Sequence, residues 1–175
     1  MKKHLSLWQF AGFVVTVAFG SVLHFIFSWT DALLLASISA VNESTWEHIK
    51  ILFFPMLIFA CVQSWFFCNE YSGYWWIKCI GILIGTITIP ILFYTFTGAF
   101  GKTPAWLNVT FFFLAAGIAY FVEYLLFSKE FTLSYSWIAF ILLIGVAILF
   151  ITFTFAPPFL PLFQDPISKR YGLIP

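Results

Sequence analysis

Five apolar stretches, at about residues 6–29, 45–68, 74–97, 104–127 and 134–156, divide this chain of 175 residues, and each reaches the roughly 20 helical residues that a hydrocarbon layer requires. Ionisable residues fall near their ends and not in their centres. Lipid offers no partners to backbone N–H and C=O groups, so a spanning segment must satisfy its own, and only helices do so without leaving open strand edges. A chain that is 62% hydrophobic and 9% charged, with 25 Phe and 8 Trp, carries more apolar bulk than a soluble core of this length takes in. The expected fold is all-α: an integral membrane bundle of five transmembrane helices in a single transmembrane domain over residues 1–175.

The tryptophans agree with this division, because Trp favours the boundary between lipid and water. Trp8 and Trp29 bracket the first span and Trp46 and Trp65 the second, while Trp75, Trp76, Trp106 and Trp137 mark the starts of the others. Turn residues at 69–73, 98–104 and 128–130 make short connections, so successive helices should run antiparallel. Residues 31–41, DALLLASISAV, are too apolar for a solvated loop and too short to span, which predicts an interfacial or re-entrant segment after the first helix. The tail, 157–175, is rich in proline and apolar residues and should pack onto the bundle.

Lys2 and Lys3 precede an apolar run too long for a signal-peptide core, and no A-x-A-like site closes it, so the first span is expected to be retained. Five spans place Lys2, Lys3, Lys78 and Lys129 on the N-terminal side and Lys50, Lys102, Lys169 and Arg170 on the other. That tie leaves orientation to the initial lysine pair, which favours a cytoplasmic N-terminus. A formal net charge of +1 provides no basic stripe, so nucleic acid is not an expected partner. Cys61, Cys68 and Cys79 lack metal or redox spacing, and the first two, seven apart on one helix face, are expected to be small buried residues.

Residues 42–50, NESTWEHIK, concentrate ionisable groups at the mouth of the second span. Ser44 and Glu47 fit a capping box, in which the hydroxyl takes an early N–H and the carboxylate reaches back to Ser44. Glu43 and Glu47 lie at the positive end of the helix dipole, and Lys50 can pair with Glu47 at i+3. Capping leaves His48 and His24 unexplained. A rise of about 1.5 Å per residue puts both at similar depth on the same side. Ionisable groups at such depth are costly unless they face one another or a cavity, so the expected polar pocket comprises His24, Asn42, Glu43, Ser44, Trp46, Glu47, His48, Lys50 and Asp165. Pro55 frees the carbonyl of Ile51 one turn beyond His48 and should kink the helix there. Glu123, near the far end of the fourth span, is expected to snorkel or to pair with Lys78 or Lys129.

Several functions suit these residues. His24, Glu43, Glu47 and His48 could ligate a divalent transition metal such as zinc, manganese or iron, although the spacing is not HExxH. The same groups could exchange protons in a proton-coupled transporter of small molecules or ions. A membrane enzyme acting on a lipid or polyprenyl substrate, with a carboxylate or histidine as general base, is a third reading, and a structural or interaction role a fourth. The bilayer is the one certain partner, with a small-molecule or lipid ligand possible in kind. Axial haem ligation by the two histidines has no CxxCH to support it. The glycosylation-like triplets at Asn42 and Asn108 sit at helix starts, where such residues are expected as caps.

The segments GSVLHFIF, VNESTWEHIKILFFPML and PLFQDPISKRYG, in that order, resemble an uncharacterised family of small multi-pass bacterial membrane proteins with a V-N-E-S-x-W-E-H-x-K block. The matching positions are His24, Asn42, Glu43, Ser44, Trp46, Glu47, His48, Lys50, Pro55, Asp165, Pro166, Tyr171 and Gly172. The resemblance implies a bacterial cytoplasmic membrane protein and supplies no activity. A fainter likeness is to the haemolysin III and adiponectin-receptor proteins, which also set Glu and His around a Trp at a helix start. This chain lacks their later HxxxH and has fewer spans, so no zinc hydrolase activity carries over.

Overall fold

The computed structural model describes residues 4–173 and is all-α. Its helices are α1 (Leu5–Thr30), α2 (Leu33–Ala36), α3 (Thr45–Phe67), α4 (Tyr74–Phe100), α5 (Ala105–Ser128) and α6 (Ser136–Phe155), followed by a 3₁₀ turn at Pro161–Phe163. All but α2 are long and apolar enough to cross a membrane, within a few residues of the expected bounds. The central helix is α3, with 67% of its apolar window buried against 22–39% in the other four. Around it pack α1, α4 and α6, and α5 fills the remaining side between α1 and α4. The outer faces present residues such as Phe10, Phe121 and Ile148, each more than half exposed, to the acyl chains.

One stripe of α1 explains how closely it approaches its neighbours. Leu5, Gln9, Gly12, Thr16, Gly20 and Leu23 recur every three or four residues and are buried. A Cβ on Gly12 would lie 2.5 Å from the Tyr120 ring and 2.6 Å from that of Phe59. On Gly20 it would lie 2.5 Å from Phe112 and 2.8 Å from the carbonyl oxygen of Ile51. Small residues at this spacing let membrane helices meet nearly backbone to backbone. The Ile51 carbonyl is the one deprived of its helical donor by Pro55, and it faces Gly20 of α1.

Segment 31–41 forms the expected interfacial element. Leu33 and Leu34 of α2 are 65% and 84% exposed, while Ala36 is buried. The chain then returns to α1, with Ala40 N–H donating to the Leu23 carbonyl at 3.1 Å. The tail is described as far as residue 173, residues 174–175 lying outside the described range. Phe163 is buried against Trp46, ring centroids 4.7 Å apart, and a Cβ on Gly172, whose φ is 65°, would lie only 3.0 Å from Pro157. Trp29, Trp65, Trp106 and Trp137 are 59–81% exposed near helix ends, as a boundary belt requires. Trp46 departs from that belt and is enclosed by Phe150, Phe153 and Phe163. Cys61 is exposed toward lipid, not buried as its spacing suggested.

Glu123 resolves onto Lys78, 2.5 Å away, with both side chains essentially inaccessible. The Lys78 ammonium also sits 5.5–5.9 Å from the ring centroids of Phe59, Tyr120 and Phe127, within cation–π range. In the same layer Gln9 and Gln63 are buried, and among the described residues their amides have no hydrogen-bond partner. Lys50 is likewise consumed in a buried pair, so neither it nor Lys78 acts as a loop charge. Removing one partner of such a pair strands the other in an apolar interior. Lys78→Met should therefore cost about 3 kcal/mol or more, seen as a lower unfolding midpoint in detergent, and Lys78→Met with Glu123→Leu should recover most of it; equal loss in both would show that the pair's charges do not matter.

Candidate functional site

Everything at this end of the bundle is arranged around the start of α3. Ser44 caps the helix, its hydroxyl accepting from Glu47 N–H at 3.4 Å. The reach-back expected of Glu47 takes a different target: its carboxylate accepts from Val41 N–H at 3.2 Å, because Asn42 Oδ1 already accepts from Ser44 N–H at 2.8 Å. The Asn42 amide also donates to the Gly172 carbonyl at 2.9 Å. Asn42 and Ser44 thus tie the helix start to the preceding segment and to the tail.

Glu47 and His48 are consecutive, so they project about 100° apart around the helix axis. Glu47 faces α6. Its carboxylate lies 2.5 Å from Lys50 Nζ and 3.2 Å from the Thr154 hydroxyl. Lys50 donates further to that hydroxyl at 2.8 Å and to the Ala36 carbonyl at 2.9 Å, which uses all three ammonium donors. Glu47 is therefore not in the histidine group, and the four-residue ligand set loses it: a carboxylate held by a buried lysine and turned to α6 does not reach the α1 side.

His48 faces α1. Its Nδ1 is 2.9 Å from the Ser44 carbonyl, which can only accept, so the proton sits on Nδ1 and the lone pair on Nε2 is free to bind. That Nε2 lies 3.3 Å from His24 Nε2, confirming that the two rings share one depth. Glu43, just ahead of the cap, places Oε2 at 3.6 Å from His48 Nε2 and 3.7 Å from His24 Nε2. The circle through three points so spaced has a radius of about 2.1 Å, the length of a Zn–N or Zn–O bond. His24, Glu43 and His48 together could hold a metal ion. All three are partly exposed, at 26%, 44% and 21% of their side chains.

Glu43 and His48, though not His24, face a cavity of about 580 Å³ that runs between α3, α4, α5 and the tail. Glu43 and His48 form part of its lining, Ile89, Phe93, Phe111 and Phe112 an apolar wall, and Lys102, Asn108 and Lys169 polar positions. Asp165 serves its own turn and not the histidine group. Its Oδ1 accepts from Ile167 and Ser168 N–H at 2.7 and 3.3 Å, capping its own turn. Trp46 and Lys50 also lie on the α6 side, so the expected pocket residues divide into a group at the cavity and a scaffold behind it. Sequence reading passed over Thr154 and took Asn108 only for a helix cap. Threonine in a spanning helix commonly bonds its own backbone, as Thr154 does to Phe150 O at 3.0 Å, so neither residue stands out by type. The small residues of α1 were a usable signal, since His24 follows Gly20 by four, as Gly20 follows Thr16 and Thr16 follows Gly12.

Gly20→Val should push α1 off α3 and α5, costing about 1–3 kcal/mol by overpacking and separating His24 from His48. The measurement is the pair of unfolding midpoint and cross-linking between cysteines placed at 24 and 48; an unchanged cross-linking rate would show that Gly20 does not set their distance.

A family of unknown function, DUF6512, matches residues 1–173, and the chain belongs to it. No curated protein and no solved structure matches at a significant level.

Proposed function

We propose that this multi-pass membrane protein is a metalloprotein in which His24, Glu43 and His48 hold a divalent transition metal at the head of the cavity. The observation that carries this reading is the triangle of donor atoms, 3.3, 3.6 and 3.7 Å on its sides, because three side chains from two separate segments meet at the spacing of a coordination sphere. The Ser44 carbonyl behind His48 Nδ1 supports it, as the outer partner that fixes a ligating imidazole. Three protein donors with an open side is the arrangement of catalytic rather than structural sites. A divalent ion so held acts as a Lewis acid toward an oxygen group reaching it from the cavity. We therefore favour an enzyme of the membrane interface over a transporter. Packing supports that choice: Phe112 and the Ile51 carbonyl close on Gly20, between the histidines and the next polar contact on α1, Thr16 to Tyr120 at 2.8 Å.

Detergent-purified protein, loaded with zinc, manganese or iron and then freed of excess by gel filtration, should retain a metal, and His24→Ala or His48→Ala should retain at least about 10-fold less. His4→Ala, at the opposite end of α1, should match wild type. Elemental analysis reads the result, and negligible or equal metal in wild type and both site variants would remove the proposal.

A further inference from the structure

The cavity has features that the metal group does not require. Its apolar wall is built from buried residues, Ile89, Phe111 and Phe112 being 5–9% exposed. Its cations, Lys102 from the α4–α5 loop and Lys169 from the tail, form no ion pair among the described residues. Asn108 adds a buried Oδ1 with no partner there. It stands on the first turn of α5, whose cap is Pro104, so helix capping does not account for it. These groups lie where α3 and α5 begin and α4 ends, which for spanning helices is headgroup depth.

We propose that the cavity binds a membrane phospholipid with an anionic head, its phosphate between Lys102 and Lys169 and the start of its acyl chains along Phe93, Phe111 and Phe112. The volume of about 580 Å³ falls within the range of small-molecule sites, enough for a head and the first part of the chains while the remainder stays in the bilayer. A head bearing a hydroxyl, such as phosphoglycerol, would also donate to Asn108 Oδ1. Two lysines against the one carboxylate of Glu43 leave the cavity net positive, which favours this occupant over a zwitterionic lipid, since each lysine near a membrane surface contributes about five-fold in affinity for an anionic head. The phosphate's position beside Glu43 and His48 makes this lipid the ligand of the proposed metal site and rests on that reading; its retention by the lysines and the wall does not.

The test uses the full chain in nanodiscs, with phosphatidylglycerol and phosphatidylcholine competing for a fluorescent phosphatidylglycerol probe. Wild type should prefer phosphatidylglycerol by at least about five-fold, and Lys102→Gln with Lys169→Gln should bring the ratio near one while leaving metal content unchanged. Thr97→Trp, which narrows the cavity and keeps both lysines, should also abolish the preference; size exclusion and unfolding midpoints confirm that the variants fold. Persistence in Thr97→Trp would assign the effect to surface charge and overturn the proposal, as would equal binding of the two lipids by wild type. Displacement of the probe by millimolar inorganic phosphate would also overturn it, by showing an ion site without a chain. His48→Ala should lose metal and keep the lipid preference, so failure of the metal reading and failure of this one give different results.

Discussion

A primary ammonium cannot be left bare in an apolar interior, and Lys50, with no accessible surface, satisfies this by giving its three protons to Glu47, Thr154 and the Ala36 carbonyl. Those acceptors belong to three separate segments: α3 itself, α6 and the interfacial stretch after α1. Pairing the charge therefore assembles the end of the bundle. The stretch that leads to Glu43 is pinned at Ala36 and again, by the Glu47 contact, at Val41. The tail joins through Asn42 and Gly172. Loss of the ammonium would leave Glu47 as an unpaired buried carboxylate and take the shared donor from Thr154 and the Ala36 carbonyl.

That pair also decides where the histidine points. With Glu47 and Lys50 committed to the α6 side, the helical twist turns His48 toward α1, and the Ser44 carbonyl holds its ring. His24 arrives from the other direction because α1 carries glycine where side chains would block it. The Gly20 contact with Phe112 and Ile51 sets the distance between the helices one turn below the histidines. A charged lock behind α3 and a close steric contact in front of it thus converge on a separation of 3.3 Å between two imidazoles.

The cavity follows from the same arrangement. The helices α4 and α5 meet closely along their length, yet at this end α4 finishes at Phe100 and α5 begins at Ala105, and the tail turn of Pro166 to Lys169 covers the gap without filling it. Membership of a family of unknown function transfers no chemistry, so the functional reading rests on this geometry: a donor triangle, an open side, an apolar wall and two lysines at headgroup depth that form no ion pair among the described residues.

How much of this the chain alone determined divides along one physical line. Axial position was readable, because lipid forces every backbone polar group into helical bonding and the rise per residue then fixes depth. The five spans, the helix start at Thr45 and the shared level of His24 and His48 all followed from that. Rotation about the axis was not readable, apart from the small-residue row of α1. Both faces of these helices are apolar, so no periodic contrast says which one meets lipid, and it took the packed bundle to send Glu47 behind α3, Glu43 in front, Glu123 onto Lys78 and Asp165 into its own turn. Sequence set the heights of the charged groups; neighbouring helices, through burial that tolerates no unpaired charge, chose their partners.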